Sequence, residues 1–363
     1  MAPLIKVVVA LDWTPNGNHL GFYVAKNLGL YIEAGLDVRL VSPHDAAYVG
    51  SYVDPKDEGS DYTTQQPYVT PCSKVADGSA HFGINSPEGV VGWNLGRDRP
   101  HLKAVAALLH DRNSSAIVTL KTSGLDSPKK LDGCRYASYA ARFEGRIVQK
   151  MIQSDGGTGD FSEHTPPMLG IWNTLLTGDA DATWVFSQWE GCEAALKNVE
   201  LNTFPVCDYG MPYAYAPCLV GHPEWLEGNR ETATKFLEAT AKGYAIAADD
   251  PEAAAEILVR VAKTENDGHA IDPSLAKASA IYLKNKMIGP SGVWGTMKPE
   301  VWTNYLKWLW DAGLLTTGVQ SRHPDSGKTF SLDDLRAGKA GERIALDEIP
   351  PVFTNEYLPN GGG

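Results

Sequence analysis

Apolar residues in the first part of the chain fall into short runs separated by polar turns, a pattern typical of alternating strands and helices. The run at 5–10 predicts a buried strand, residues 20–29 predict a helix with Gly29 at its end, and residues 36–41 alternate as a second strand. A strand, a helix and a strand in this order form a right-handed parallel unit. The chain therefore begins as an α/β fold.

The same alternation continues along the chain and is broken twice. Polar residues at 110–115 interrupt the apolar pattern, and the tyrosine-rich segment 208–215 contains Gly and Pro that exclude a regular element. We interpret both segments as crossings between two lobes. Further strands are predicted at 80–85, 102–109, 116–120, 135–139 and within 178–186, and helices at 146–153, 231–248, 251–262, 273–286 and 299–312.

These elements predict a two-lobed α/β fold in which each lobe is a mostly parallel sheet flanked by helices. Lobe 1 would comprise residues 1–110 and 216–363, and lobe 2 residues 111–215. A length of 363 residues exceeds one usual hydrophobic core, which agrees with two lobes. Two linkers would let the lobes close over a ligand. The polar stretch 42–73 lacks a clear period, and we interpret it as an elaborated loop near the cleft.

The most informative polar residues follow the first strand directly. Segment 11–19 places Asp12, Trp13 and His19 beyond the end of strand 5–10. Open α/β sheets bind ligands at the carboxyl ends of their strands. The sequence therefore predicts a charge, a ring and an imidazole at a ligand-binding edge.

Other strand ends carry similar groups. Ser86 and Pro87 are typical of a helix start, whose free N–H groups can meet a polar ligand atom. Aromatic faces suit a flat heterocycle, and a carboxylate can accept hydrogen bonds from its amino group. Taken singly, each aromatic residue is better explained as part of the hydrophobic core, and each carboxylate could instead lie in a solvated loop. Their joint pattern favours a ligand-binding site. The candidate ligand-binding residues are Asp12, Trp13, His19, Asn85, Ser86, Trp184, Trp189, Glu190, Tyr213 and Tyr215.

Two arginines, Arg142 and Arg146, lie at a predicted strand-to-helix turn. Such a pair could hold a phosphate or a carboxylate. The alternative is that they are surface charges that pair with Glu144. Both interpretations stay open at this point.

The composition of the chain argues against several classes of function. The net charge of −12 argues against a nucleic-acid or anionic-membrane partner, and no apolar stretch approaches the roughly 20 residues of a membrane span. Five scattered cysteines favour free thiols in a reducing compartment, and nine histidines without a metal-ligand spacing predict no metal site. Because the N-terminus runs straight into a strand, we expect a cytoplasmic protein, or a periplasmic or secreted one if a signal peptide has been removed.

Segments 12–19, 29–31, 33–38 and 354–358 resemble the sulfonate-binding and thiamine-pyrimidine-synthase-like superfamily. That superfamily has the fold of bilobed periplasmic solute-binding proteins. It includes bacterial receptors for thiamine pyrimidine precursors and the fungal hydroxymethylpyrimidine phosphate synthases. The resemblance implies a pyrimidine-like heterocycle held between the lobes, with 189–191 as a cleft segment.

The fungal synthases of this superfamily consume themselves. A lysine holds pyridoxal phosphate, a histidine four residues later donates ring atoms, and a cysteine-rich segment works with iron. The resemblance places Asn85 at the lysine, Gly89 at the histidine and 211–215 near the cysteine-rich segment. Asparagine has no amine for an imine and glycine has no side chain to donate. The resemblance therefore implies that this chemistry is absent, and no cofactor is expected.

Binding of a small flat heterocycle is accordingly the favoured function, with a transporter or a second copy of the chain as a candidate protein partner. The alternative is an enzyme of thiamine pyrimidine biosynthesis that uses pyridoxal phosphate and iron. Under it, Arg142 and Arg146 would bind a cofactor phosphate, and His19, His81 or His110 would transfer protons or bind iron. A third candidate is a regulatory sensor that closes on its ligand without chemistry.

Overall fold

The computed structural model describes residues 3–43, 45, 70–96, 99–139, 141, 143–166, 170–213, 215–265, 270–318, 334, 339 and 341–359. Within these ranges, ten strands form two five-stranded sheets. The strands are β1 (Ile5–Ala10), β2 (Leu36–Val41), β3 (Phe82–Asn85), β4 (Lys103–Ala107), β5 (Ser115–Leu120), β6 (Arg135–Ala137), β7 (Ser162–His164), β8 (Ala182–Phe186), β9 (Leu201–Pro205) and β10 (Cys218–Gly221).

Helices cover the sheets. They are α1 (Leu20–Asn27), α2 (Leu30–Glu33), α3 (Pro71–Ala76), α4 (Pro87–Asn94), α5 (Glu144–Ser154), α6 (Ile171–Thr177), α7 (Cys192–Leu196), α8 (Pro223–Gly228), α9 (Arg230–Asp249), α10 (Pro251–Glu265), α11 (Pro273–Leu283) and α12 (Pro299–Asp311). None of the helices in the described ranges combines the length and the apolar character needed to cross a membrane.

The strand order is β2-β1-β3-β10-β4 in the first sheet and β7-β6-β8-β5-β9 in the second. We call these sheets and the helices packed on them lobe 1 and lobe 2. Each sheet holds one strand antiparallel to its neighbours, β10 in the first and β5 in the second. Each of these strands is the first after a crossing, at 108–114 or 206–217. The predicted two-lobed α/β fold is thus confirmed, while the exact lobe limits stay a prediction.

Local sequence signals explain the first unit. Strands β1 and β2 pair in parallel from Ile5 opposite Leu36, as the strand, helix and strand order predicts. Helix α1 ends before Gly29, whose φ of 74° is the left-handed conformation that favours glycine. The prediction of a loop through 42–73 is wrong at its end, because Thr70 caps α3 by accepting from Ser73 N–H. Residues 44 and 46–69 of that stretch lie outside the described residues.

Most other predicted elements are confirmed with shifted ends. The predicted strand 135–139 stops at Ala137, and the helix after it begins at Glu144 rather than at residue 146. Helix α11 ends at Leu283 instead of continuing to residue 286. The core follows from these elements: one apolar cluster packs helices α1, α9 and α10 on the first sheet, and a second extends across both sheets.

Helices α1 and α9 approach each other closely at two glycines. A Cβ on Gly243 would overlap the carbonyl oxygen of Gly21, and a Cβ on Gly21 would overlap the ring of Tyr244. Gly243→Ala is therefore expected to lower the free energy of unfolding by about 1–3 kcal/mol through overpacking. Urea unfolding measures this loss. Gly228→Ala is the matched control, because its Cβ would meet no atom within 4 Å; an equal loss in both variants would contradict the packing explanation.

Candidate functional site

A cavity lies between the lobes at the carboxyl ends of β1, β3, β6 and β8. The space open to the centres of water molecules is about 150 Å³, comparable with an engineered cavity that takes up benzene. This cleft cavity therefore suits a single six-membered ring with short substituents. It is lined by Asp12, Trp13, Asn16, Asn18, Asn85, Ser86 and Glu88 from lobe 1, and by Tyr139, Ala141, Glu144, Ile147, Trp184, Phe186, Trp189 and Glu190 from lobe 2.

The segment after β1 is folded by its own polar side chains. Asn16 caps the short helix Gly17–His19, and its Oδ1 accepts from Asn18 N–H at 2.8 Å. His19 Nδ1 accepts from Asn16 N–H at 3.2 Å, so the proton lies on Nε2, which donates to Asp12 Oδ1 at 2.9 Å. His19 is 0% exposed and does not line the cavity. The expectation that His19 orients the ligand ring directly is corrected: it positions Asp12.

Aromatic rings from both lobes form the walls of the cavity. Trp13 meets Tyr139 across the cleft edge to face, with centroids 5.9 Å apart at 74°. Trp184 lies on β8, and Trp189 lies on the π-helical turn Ser187–Gly191 that follows this strand. A flat ligand between the lobes would thus meet aromatic surface from both.

Three glutamates are buried against the cavity, and each already has a hydrogen-bond donor. Glu190 Oε2 accepts from Phe186 N–H at 2.9 Å, and Glu88 Oε2 accepts from the Tyr213 hydroxyl at 2.7 Å. Glu144 accepts from the Tyr136 hydroxyl at 2.7 Å and from two backbone N–H groups. Burial raises the pKa of Glu144 and of Glu190 to about 7, and it also raises that of Glu88.

The cavity is therefore strongly acidic. Four of its described lining residues carry carboxyl groups, Asp12 among them, and none of its described lining residues is lysine, arginine or histidine. A ligand that carries amino hydrogens or a positive charge suits this lining better than an anion does, because Glu144 and Glu190, whose pKa values are about 7, are each about half ionised at pH 7.

One side-chain hydrogen bond joins the lobes across the cleft, and another ties the second crossing to lobe 1. Gln188 Nε2 of lobe 2 donates to Asn18 Oδ1 of lobe 1 at 3.0 Å. The Tyr213 hydroxyl of the second crossing reaches Glu88 of α4. The described arrangement is thus a closed one, with the cavity between contacting lobes.

Tyr213 and Tyr215 do not line the cleft cavity, contrary to the expectation of direct ligand contact. Tyr213 stands behind Glu88, and the Tyr215 hydroxyl accepts from Lys298 N–H at 2.9 Å. Their rings pack on helix α12, against Tyr305 and Trp302 respectively. Both tyrosines line a different cavity at the crossings.

Arg146 is not placed to bind a phosphate in the cleft. It is 2% exposed and its guanidinium donates to Leu314 O at 3.2 Å and to Thr316 Oγ1 at 3.5 Å. Burial lowers its pKa to about 10. Its partner in the prediction, Arg142, lies outside the described residues. Arg146 is buried, so its interpretation as a surface charge is wrong, and phosphate binding by the two arginines together stays a prediction.

Seven of the ten candidate ligand-binding residues line the cavity, and their roles toward a ligand stay predictions. Several lining residues were missed. Asn16 and Asn18 belong to the motif already singled out, and Glu88 follows the recognised helix start, so position alone could have indicated them. Tyr139 ends the predicted strand 135–139, so its position could also have indicated it, whereas Glu144 carries no such signal and is held at the cleft by its hydrogen bonds to Tyr136 and to two backbone N–H groups.

The residues at the family's cofactor position do not fit a pyridoxal imine. Asn85 occupies the cavity edge with its Oδ1 accepting from Ser86 N–H at 2.9 Å, and a Cβ on Gly89 would overlap that oxygen. Asparagine supplies no amine, and a phosphate in the cleft would face the carboxyl groups named above. Across the described ranges, no group of three or more His, Cys, Asp and Glu side chains is arranged to hold a metal. The residues at this position therefore do not fit pyridoxal phosphate.

Two lobes with a cavity between them define the solute-binding class of α/β folds. The alkanesulfonate-binding protein SsuA from Xanthomonas axonopodis pv. citri, solved with MOPS, has this fold: the TM-score is 0.60 at 11% identity, over 89% of this chain and 97% of that one. The periplasmic aliphatic sulphonate-binding protein SsuA from Escherichia coli gives a TM-score of 0.59 at 13% identity, over 86% and 91% of the two chains.

The chain belongs to the NMT1/THI5-like family, whose sequence model matches residues 16–55 and 56–254. A relative from Halalkalibacterium halodurans, named formylaminopyrimidine-binding protein, is 24% identical over 311 residues. The match covers 84% of this chain and 85% of that protein. The family resemblance predicted from the opening motif is thus confirmed.

Proposed function

We propose that the chain is a receptor that binds an amino-substituted pyrimidine, or a closely similar flat amino heterocycle, between its lobes. The observation that carries this proposal is the chemistry of the cleft cavity: four carboxyl groups and five aromatic side chains enclose space for one small ring. Aromatic faces stack on a heterocycle and carboxylates accept its amino hydrogens.

Glu190 is the best candidate for the amino-group acceptor. One of its oxygens accepts from Phe186 N–H, which fixes the carboxyl group at the cavity wall. The other oxygen can then accept from the ligand. Asn18 supports recognition from the opposite lobe: its Oδ1 is bound by Gln188, so its amide N–H groups can donate to a ring nitrogen. Trp13, Trp184 and Trp189 supply the stacking surface.

The similar proteins differ in how far they support an aminopyrimidine as the ligand. The relative named formylaminopyrimidine-binding protein supports an aminopyrimidine. The sulfonate-binding proteins share only the fold, and the acidic lining argues against a sulfonate here. The fold class also favours a location outside the cytoplasm, which is the second of the two locations expected from the sequence. It favours delivery of the ligand to a membrane transporter as well.

Isothermal titration tests the ligand class with three probes. We expect 4-amino-2-methylpyrimidine to bind saturably, and 2-methylpyrimidine, which lacks the amino group, to bind about tenfold more weakly or worse. MOPS should give no saturable heat, since its sulfonate would meet the carboxyl groups. Tighter binding of MOPS than of the aminopyrimidine would refute the proposal.

A separate measurement addresses the enzyme alternative. Native mass spectrometry of the purified protein reports any retained ligand, and intact mass after incubation reports consumption of a side chain. A receptor keeps its mass and releases its ligand unchanged. A permanent loss of mass from a histidine would contradict the receptor proposal and support the self-consuming enzyme.

A further inference from the structure

A second cavity lies at the hinge, apart from the cleft. Its walls come from both crossings, through residues 109–112 and through Pro212, Tyr213 and Tyr215, and from residues between 290 and 304 at the start of α12. The space open to water centres is about 480 Å³, more than in the cleft cavity. Because both crossings contribute, the shape of this hinge cavity depends on the angle between the lobes.

The charge of the hinge cavity is opposite to that of the cleft. Arg112 and Lys298 line it, and within the described residues neither forms a salt bridge. Its carboxylate, Asp111, is neutralised by Lys286 Nζ at 3.0 Å and accepts from the Tyr282 hydroxyl at 3.1 Å. In a chain of net charge −12, two exposed basic side chains that line one cavity, without a carboxylate partner among the described residues, indicate an anion.

The remaining wall suits an organic group attached to that anion. The rings of His110 and Tyr215 meet edge to face with centroids 5.4 Å apart. His110 Nε2 is buried and has no hydrogen-bond partner among the described residues. Burial lowers the pKa of His110 to about 4, so the imidazole is neutral at pH 7 and adds no charge to the wall. Hydroxyl groups of Ser291 and Thr296 complete the rim.

Tyr213 connects the hinge cavity to the cleft. Its ring lines the hinge cavity, and its hydroxyl donates to Glu88 Oε2 at 2.7 Å. Glu88 lines the cleft cavity. On the side of lobe 2, the Tyr213 ring lies 6.2 Å from the ring of Trp184, centroid to centroid. A molecule seated against Tyr213 would therefore fix a residue that contacts both lobes in the closed arrangement.

We propose that the hinge cavity is a second ligand site, which takes a small organic phosphate through Arg112 and Lys298 and favours closure of the lobes through Tyr213. Occupancy of the hinge site does not depend on the function proposed above. Its effect on the cleft rests on that function. The hinge site thus couples the binding of an anion to the binding of the cleft ligand.

Titration of the full chain with phenyl phosphate and with inorganic phosphate, at matched ionic strength, tests the site. Phenyl phosphate should bind saturably and more tightly than inorganic phosphate, because only the ester has an organic group for the rings of the wall. Equal affinity would show that only the oxyanion is bound, and that outcome overturns the organic ligand. Absence of saturable binding by either probe overturns the site.

Variants then locate the binding. Arg112→Gln with Lys298→Gln should weaken phenyl phosphate binding at least about fivefold. The control, Lys121→Gln with Lys242→Gln, removes two exposed positive charges that line neither cavity and should leave the affinity unchanged. Thermal unfolding verifies that both double variants are folded. Equal affinity in the two double variants would refute the assignment to the hinge cavity.

Coupling between the hinge site and the cleft is measured separately. Saturating phenyl phosphate should lower the Kd of 4-amino-2-methylpyrimidine about fivefold and then reach a plateau. Tyr213→Phe keeps the ring but removes the hydroxyl, so it should retain phenyl phosphate binding and lose the coupling. A Kd that rises without limit would mean that both molecules compete for the cleft, which overturns the hinge site. If the aminopyrimidine does not bind at all, the receptor proposal fails while the phosphate titration still decides on the hinge site.

Discussion

Glu190→Gln is expected to weaken the binding of 4-amino-2-methylpyrimidine by about ten- to a hundredfold at pH 7.5. The amide oxygen of glutamine can still accept from Phe186 N–H, as Glu190 Oε2 does at 2.9 Å. The amide NH₂ then points to the cavity, where a ligand donor would meet a protein donor. Isothermal titration measures the loss.

The same variant is expected to be more stable than the parent protein above pH 7. Burial raises the pKa of Glu190 to about 7 from an ordinary value of 4.5. Between these two pH values the folded protein keeps a proton that the unfolded chain has released, so the free energy of unfolding falls as pH rises. The cost of ionising this buried carboxyl reaches about 3 kcal/mol above pH 7. Glutamine avoids it.

Urea unfolding at pH 5 and pH 8 separates these effects. Glu190→Gln should be more stable than the parent at pH 8 and similar to it at pH 5. Glu193→Gln is the control, because this carboxyl lies one turn away, does not line the cavity and pairs with Lys197. If Glu193→Gln loses the same ligand affinity, or if Glu190→Gln gains nothing at pH 8, the role given to Glu190 is wrong.

Trp13→Ala is expected to weaken aminopyrimidine binding by about 1–3 kcal/mol, the usual contribution of one heterocycle stacked on an aromatic side chain. Trp13 is only partly buried and its neighbour across the cleft is Tyr139, so the free protein should keep nearly the same Tm. Titration and thermal unfolding of the ligand-free protein give the two numbers.

Trp294→Ala is the matched control for this substitution. Trp294 is 2% exposed and stacks on Tyr244 with centroids 4.8 Å apart at 15°. Its loss should cost about 3–5 kcal/mol of folding free energy. A fall in Tm for Trp13→Ala as large as for Trp294→Ala would identify Trp13 as core rather than as a ligand-binding ring.

Features set by neighbouring residues could be predicted from the sequence. The spacing of β1, α1 and β2 fixed their parallel pairing, and Ser86 with Pro87 marked the start of α4, where Ser86 Oγ accepts from Gly89 N–H. The strand ends at Trp13 and Glu190 were found for the same reason, since a ligand edge lies where parallel strands stop.

Features set by the packing of distant segments could not be predicted. Glu144 reaches the cavity only because Tyr136 and the backbone of lobe 2 hold its carboxyl group there. His19 was expected at the ligand, yet its two ring nitrogens are taken up by Asn16 and Asp12. Tyr213 and Tyr215 were expected at the ligand, yet they pack on α12, a helix far away in the sequence.

The position of β10 also governs the order in which this protein can fold during synthesis. In the first sheet β4 pairs with β10, and β10 pairs with β3, so β3 and β4 are joined only after residues 218–221 have emerged from the ribosome. All strands of the second sheet lie between residues 115 and 205 and emerge earlier. Lobe 2 can therefore complete its sheet first, while the nascent lobe 1 exposes an unpaired edge of β3 to chaperones until the chain returns.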